Sequence, residues 1–168
     1  MYFMIIAGID GSTNSTGVAI MEDGELKFFE LIDLHKEKDA MKRIQNMLLK
    51  ICEILGKYNI DEVYMEKSIL KTNVDTVQKL ANLAGGIMLY CAQNNIKFNH
   101  PLPPEWRARI GIKQSNKIKR EVLKEEAIFA VKKEYGVAVN DDIAEAILIA
   151  RSGFDLPKID ITEDDLWN

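Results

Sequence analysis

What this chain of 168 residues lacks argues against three classes of protein. No apolar run approaches the roughly 18 residues that a membrane-spanning helix needs. The start, MYFMIIAGID, has no basic segment and closes its apolar stretch with Asp10, so we expect no secretory signal and a cytoplasmic protein. The two cysteines, Cys52 and Cys91, lie in separate apolar segments and therefore predict neither a disulfide framework nor a zinc site.

The charge balance argues against a uniformly basic nucleic-acid coat protein, because the formal net charge is −4. Hydrophobic residues make up 47% of the chain and charged residues 29%, which is typical of a folded globular protein rather than a disordered one. We expect one domain over residues 1–152. Residues 153–168 are then an acidic C-terminal tail with a net charge of −4, which we expect to be loosely held.

Apolar periodicity and turn formers predict an α/β fold with a mixed sheet. The expected elements are strands at 4–9, 18–21 and 26–34, a helix at 37–58, a strand at 63–66, a helix at 75–94, a strand at 96–98, one helix within a basic segment at 106–135, and a helix from 141 to before 153. The first three strands should be antiparallel, and the two strands that follow helices should be parallel to a neighbour. Pro101, Pro103 and Pro104 are expected to break the chain.

Four acidic residues lie at the ends of predicted elements. Asp10 and Glu66 each follow an apolar strand, at the edge where open sheets place ligand sites. Asp142 and Glu145 are three residues apart at the start of the last helix and therefore share one face. Each also has a structural alternative: Asp10 could open a turn, Glu66 could be an exposed partner of Lys67, and the last two could form a capping box.

Taken together, the four acids predict a metal site. Several carboxylates that converge at one sheet edge repel each other unless cations neutralise them. Hard divalent ions such as Mg²⁺ or Mn²⁺ take oxygen ligands of this type.

The motifs Gly8-Ile9-Asp10-Gly11-Ser12 with Thr16-Gly17, Met65-Glu66 and Asp142-Ile143-Ala144-Glu145-Ala146 resemble, in this order and spacing, the RuvC Holliday-junction resolvases. This resemblance implies an RNase H-like mixed five-stranded sheet flanked by helices on both faces. It also implies a homodimer that binds a four-way DNA junction, or other branched DNA, and makes paired cuts by phosphodiester hydrolysis. Asp10, Glu66, Asp142 and Glu145 match the catalytic, metal-binding carboxylates, with two Mg²⁺ (or Mn²⁺) ions in each active site and no small-molecule cofactor.

The sequence departs from the family pattern at two positions. The fourth acid is Glu145, where bacterial members usually have Asp, and Ile69 takes the place of a Phe that wedges into the junction. Asp141 is an additional acid whose role is open. The divergence is consistent with a member encoded by a phage or other mobile element, which would place it in the host cytoplasm.

A basic segment runs from Glu105 to Lys133, with nine basic residues against four acidic ones. We interpret it as a phosphate-contacting surface; the alternative is a solvated helix face. Arg107, Lys113 and Lys117 fall where the family has basic residues needed for junction binding and cleavage, and Lys117 is a candidate catalytic residue. The predicted DNA-binding residues are Lys67, Ile69, Lys71, Arg107, Arg109, Lys113, Lys117, Arg120 and Lys124. Trp106 is interpreted as a packing anchor rather than a base-stacking residue.

The second predicted helix suits a dimer interface, because Leu80, Ala81, Ala84, Gly85, Ile87 and Met88 are small or apolar. Core packing explains the same pattern equally well. Two other functions remain open from the sequence. One is a non-catalytic RNase H-like module that binds nucleic acid. The other is a fragment of an actin-like sugar kinase or ATPase, whose first phosphate loop resembles residues 8–13.

Overall fold

The computed structural model describes residues 2–69 and 73–162. Five strands and five helices follow one another in these residues: β1 Ile5–Asp10, β2 Ser15–Glu22, β3 Glu25–Asp33, α1 Ala40–Leu55, β4 Glu62–Met65, α2 Val74–Gln93, β5 Lys97–Asn99, α3 Pro103–Ile110, α4 Arg120–Tyr135 and α5 Asp141–Arg151. No helix in this part of the chain is both long enough and apolar enough to cross a bilayer.

The strands form one mixed sheet in the order β3-β2-β1-β4-β5. β1 pairs antiparallel with β2, and β2 with β3. β4 pairs parallel with β1 and with β5, because helices connect these strands. The sheet separates two apolar cores, one under α1 and α2 and the other under α3, α4 and α5. The predicted α/β fold, a mixed five-stranded sheet with helices on both faces, is confirmed.

Side-chain alternation along the central strands decides which face each acid occupies. In β1, Ala7 and Ile9 enter the core under α1 and α2, whereas Ile6 enters the core on the opposite face. Successive side chains of a strand point to opposite faces, so Asp10 points to the same face as Ile6, where α5 packs. In β4, Tyr64 belongs to that second core, and the same alternation carries Glu66, just beyond the strand, to that side.

Two glycines let α5 lie directly on the sheet. A Cβ atom on Gly8 would be 2.1 Å from the backbone oxygen of Ala146, and one on Gly17 would be 2.1 Å from the backbone oxygen of Asp142. Any side chain at either position would therefore collide with the helix backbone. Gly17 is also the antiparallel partner of Asp10 in the sheet. The first turn of α5 is thus placed beside the carboxyl end of β1.

The region between β5 and α5 differs from the prediction, which placed one helix within residues 106–135. Two helices, α3 and α4, form there instead. α3 can begin at Pro103 and Pro104, because the first turn of a helix does not use the backbone N–H that proline lacks. Gly111 ends that helix with a φ of 101°, a conformation that favours glycine. The expectation that these two prolines break the chain was therefore wrong, since they begin a helix.

The described part of the tail, residues 153–162, packs on the domain instead of being loosely held. Ile159 is buried, and its backbone N–H donates to the backbone oxygen of Ile110 over 2.9 Å. Arg151, at the end of α5, donates to the backbone oxygen of Pro157. The excess of acidic residues predicts a loosely held segment, but the apolar side chain of Ile159 anchors it to the domain. Residues 163–168 lie outside the described part of the chain.

Candidate active site

The four predicted acids come from three elements that meet at one edge of the sheet. Asp10 is the last residue of β1, and Glu66 directly follows β4, with its backbone N–H 3.4 Å from the backbone oxygen of Ile9. Asp142 and Glu145 lie in the first turns of α5, which begins over Gly17. The sequence prediction that these acids are neighbours is therefore supported by the topology of β1, β4 and α5.

The pKa of Asp10 is affected by all three of the other acids. Burial raises the pKa of its carboxyl group, and the charges of Glu145, Glu66 and Asp142 raise it further, so that it lies well above the usual range for aspartate. Burial also raises the pKa of Glu66, although the Trp106 hydrogen bond and the Arg107 charge oppose that rise. Mutual repulsion of this kind is relieved when a cation binds between the carboxylates.

Three of the four carboxylates are held by side chains that sequence reasoning did not assign to them. The indole Nε1–H of Trp106 donates to Oε2 of Glu66 over 2.6 Å, and the hydroxyl of Ser15 donates to Oδ2 of Asp142 over 2.7 Å. The guanidinium of Arg107 donates to Oε1 of Glu145 over 2.5 Å.

These contacts bear on how a metal would be bound. Within residues 2–69 and 73–162, no three acidic, histidine or cysteine side chains already converge as ligands of one ion. The four side chains fit a hard divalent cation, because all of them are carboxylates. Their negative charges repel one another, and this repulsion contributes to the raised pKa of Asp10. Glu66, Asp142 and Glu145 would each have to share or release a present partner in order to bind a common ion.

The alternative that Asp142 and Glu145 merely cap the last helix is wrong. The N-cap of α5 is Asn140, whose side-chain oxygen accepts the backbone N–H of Ile143 over 3.0 Å. The side chain of Asp142 therefore accepts a hydrogen bond from Ser15, and that of Glu145 accepts one from Arg107. Likewise, Glu66 is bound to Trp106 and is not an exposed partner of Lys67. Asp141, whose role was open, forms an ion pair with Lys124, which lowers the pKa of Asp141 even though burial acts in the opposite direction.

The predicted DNA-binding residues divide into exposed and engaged groups. Lys67, Ile69, Arg109, Lys113, Lys117 and Arg120 are exposed. Arg107 is only 6% exposed and lies in the acid cluster, not on an outer surface. Lys124 is bound to Asp141, and Lys71 lies outside the described residues. In the described part of the chain, no hydrogen bond or ion pair joins the ammonium group of Lys117 to any of the four acids.

Trp106 serves as the predicted packing anchor, because it is fully buried and cannot stack on a base. Its second role, as donor to Glu66, had no signal in the sequence. The Arg107 guanidinium lies 4.4 Å from the centroid of the Trp106 ring, so α3 brings two consecutive side chains onto the acid cluster.

Comparison with known proteins gives a consistent result. The family model for "Crossover junction endodeoxyribonuclease RuvC" matches residues 6–151. The crossover junction endodeoxyribonuclease RuvC of Campylobacter hominis is 30% identical over 154 residues, which cover 88% of this chain and 93% of that protein. The protein of the same name from Clostridioides difficile is 28% identical, with 88% of each chain covered.

Solved structures share the fold. The structure titled "T. thermophilus RuvC in complex with Holliday junction substrate" superposes with a TM-score of 0.71 at 17% identity, covering 89% of this chain and 91% of that one. A yeast mitochondrial Holliday junction resolvase superposes with a TM-score of 0.55 at 18% identity, covering 88% and 76%. The similarity therefore extends over nearly the whole chain.

Proposed function

The chain belongs to the RuvC family of crossover junction endodeoxyribonucleases, and we propose that Asp10, Glu66, Asp142 and Glu145 are its metal-binding, catalytic carboxylates. Enzymes of this family hydrolyse phosphodiester bonds in DNA junctions and depend on divalent metal ions. The observation that carries the residue assignment is the meeting of the end of β1, the residue after β4 and the first turns of α5 at one edge of the sheet, which brings the four acids together. The raised pKa of Asp10 agrees with it. A non-catalytic module or an actin-like kinase fragment has no comparable support.

Each carboxylate would have a distinct environment in the reaction. We propose Mg²⁺ or Mn²⁺, two per active site; when bound, these ions activate the attacking water and stabilise charge on the leaving oxygen. Asp10 interacts with the other three acids and would be one of the residues that hold metal. Trp106 orients Glu66, and Ser15 orients Asp142, so that neither carboxylate has to search for its position.

Branched DNA is the proposed substrate, and the exposed basic residues are its proposed contacts. Arg120 lies at the start of α4, where its positive charge opposes the rise in the pKa of Glu66 and contributes to the lowered pKa of Asp141. Lys113 and Lys117 lie in the exposed segment before it. Lys67 and Ile69 follow the strand that leads to Glu66, and Lys71, Arg109 and Lys124 complete the proposed set. We propose that Lys117 stabilises charge on the scissile phosphate.

The direct test compares substrates of one sequence but different shape. Purified protein is incubated with Mg²⁺ or Mn²⁺ and a four-way junction, a three-way junction, a flap or a linear duplex. Paired symmetric cuts in the four-way junction are expected, with products that carry 5′-phosphate and 3′-hydroxyl ends. Cleavage of the linear duplex at an equal rate would instead indicate a general nuclease. The enzyme would work in the cytoplasm, or in that of the host if a phage encodes it.

Removing a basic contact should weaken binding to all sequences alike. For Arg120→Gln we expect a weaker affinity for a four-way junction and a slope of log K against log salt that is smaller by about one, because one phosphate contact is lost. The measurement is a gel shift or anisotropy titration at several salt concentrations in Ca²⁺. Lys50→Gln, on the exposed surface of α1, is the matched control. An unchanged salt slope for Arg120→Gln would remove this residue from the interface.

The homodimer is proposed on the exposed face of α2. Ala84 and Ile87 are buried against the sheet, but Ala81, Gly85 and Met88 are exposed on the opposite side of the helix. A Cβ atom on Gly85 would have nothing within 4 Å, so this face is open. Small residues along one stripe with exposed methionine beside them let a second helix approach closely. We propose that a second copy of α2 packs there.

A charge on this face should separate the subunits. Met88→Glu places a carboxylate at a position that is 45% exposed in the single chain and would be desolvated between two copies. We expect the dimer dissociation constant to rise by roughly tenfold or more, measured by sedimentation or light scattering over a concentration series. Phe29→Glu, on the edge strand β3, is the control. A wild-type chain that is monomeric at micromolar concentration would contradict the proposal.

A further inference from the structure

The buried guanidinium of Arg107 uses only part of its hydrogen-bonding capacity. One terminal NH₂ group donates to Glu145, and the other donates to Oε1 of Gln114 over 2.8 Å. Its third nitrogen, Nε, carries an N–H that is buried and has no partner in the described part of the chain. A buried N–H of a charged group without an acceptor is costly, and such groups normally find one.

Glu126 on α4 lacks a hydrogen-bond donor, just as Arg107 lacks an acceptor. Its Oε2 atom is buried and has no hydrogen-bond donor among the described residues. Burial raises the pKa of this carboxyl group, and the positive charge of Arg107 opposes that rise, so the two side chains lie within electrostatic reach of each other. A buried guanidinium N–H without an acceptor and a buried carboxylate oxygen without a donor thus belong to two side chains whose charges interact.

The present partner of Arg107 is an acid that the proposed function needs elsewhere. A guanidinium that donates to Oε1 of Glu145 occupies one of the two oxygens through which this carboxylate could bind a cation. Once a divalent ion is bound, the guanidinium would also face a concentrated positive charge at short range. Arg107 therefore has a reason to leave Glu145, and Glu126 offers an acceptor on a neighbouring helix.

We propose that Arg107 is a positioning residue that switches between Glu145 and Glu126. It neutralises Glu145 until the acid cluster binds divalent metal, and it then transfers to Glu126, with Gln114 keeping hold of its other terminal nitrogen. This inference rests on the proposed metal-dependent function. It adds that two residues set the affinity for metal: Arg107, which competes with the metal for Glu145, and Glu126, which receives Arg107 when metal binds.

The two ends of the switch have opposite effects on metal affinity in the absence of DNA. Arg107→Gln removes the competitor, so the affinity for Mn²⁺ should rise about tenfold, equivalent to about 1.4 kcal/mol. Glu126→Gln removes the negative charge that receives the guanidinium, so the affinity should fall about threefold. Glu125→Gln changes an adjacent, exposed residue of α4 and is the matched control, with no expected change. The measurement is calorimetry, or the signal of free Mn²⁺ in electron paramagnetic resonance.

A double-mutant cycle distinguishes a switch from a simple field effect. If Glu126 acts only as a nearby negative charge, its removal weakens Mn²⁺ binding equally with and without Arg107. If Glu126 receives Arg107, its removal has no effect in the Arg107→Gln background, because nothing remains to be transferred. Equal effects in both backgrounds would overturn the proposal, as would an unchanged affinity in Arg107→Gln.

Two further observations keep the test decisive. Circular dichroism and thermal unfolding check that each variant folds; if Arg107→Gln does not, Arg107→Met keeps an unbranched side chain without a charge and replaces it in the cycle. Failure of the proposed function has a different signature. A wild-type protein that binds no Mn²⁺ at millimolar concentration, and does not differ from Asp10→Asn, refutes the metal site itself. Metal binding that is indifferent to Arg107 refutes only the switch.

Discussion

Asp10→Asn should abolish junction cleavage while leaving junction binding intact. The substitution keeps the shape of the side chain but removes the charge at the centre of the acid cluster, where burial and three neighbouring acids meet. A neutral amide is a poor ligand for a hard cation, so we expect cleavage to fall by roughly a thousandfold or more. The measurement is single-turnover cleavage of a four-way junction in Mg²⁺ and in Mn²⁺, beside a gel shift in Ca²⁺.

The same substitution should also change the thermal stability of the protein, and the pKa shift of Asp10 determines the direction of that change. A carboxyl group with a raised pKa in the folded state costs nothing below its unfolded pKa, costs progressively more stability as the pH rises through that value, and has its full cost above the folded pKa. Asn should therefore raise the unfolding temperature at neutral pH, and the gain should vanish as the pH approaches the ordinary pKa of aspartate. Glu53→Gln, exposed on α1 on the other face of the sheet, is the control for both measurements. Undiminished cleavage by Asp10→Asn would exclude Asp10 from the active site.

Gly17→Ala should damage both the fold and the active site, although it changes no acid. The added Cβ would be 2.1 Å from the backbone oxygen of Asp142, so the start of α5 must move away from the sheet. Forcing a methyl group into such a contact costs about 1–3 kcal/mol of unfolding free energy. The displaced helix carries Asp142 and Glu145 with it, and an error of about 1 Å in a catalytic group can reduce the rate about 100-fold.

Denaturant unfolding and single-turnover cleavage measure the two effects separately. Gly56→Ala is the matched control, because Gly56 has a right-handed helical φ of −68° and its Cβ would lie 3.3 Å from the nearest atom. We expect the control to keep near-normal cleavage. Wild-type cleavage in Gly17→Ala would show that the position of α5 relative to β1 does not limit the reaction.

Local patterns were enough to predict most of the fold. Short apolar runs indicate strands, and apolar residues that recur every three or four positions indicate helices; both patterns lie within a short stretch of sequence. They predict the five strands, α1, α2 and α5 to within a few residues. The prediction fails around α3 because proline, which breaks a helix interior, is favoured in the first turn of a helix, where Pro103 and Pro104 lie. Asn140 before Asp141 is a recognisable N-cap signal in the sequence, and it leaves Asp142 free of that role.

The acids of the site were predictable in part, and their partners were not. Asp10 and Glu66 stand out because each follows a buried strand, which is a local feature of the sequence. Trp106 meets Glu66 across 40 residues and Arg107 meets Glu145 across 38, so only the packing of α3 against the sheet edge brings them together. Such contacts follow from tertiary structure and leave no periodic trace in the chain.

The contact of Gly8 and Gly17 with α5 bears on how this protein tolerates sequence change. The separation of the helix from the sheet is fixed by two backbones in direct contact, not by the sizes of side chains between them. Apolar residues elsewhere in the two cores can therefore be exchanged for others of similar volume without altering the spacing of the carboxylates. Extensive drift of the interior is compatible with an unchanged reaction, provided that these two positions never acquire a side chain.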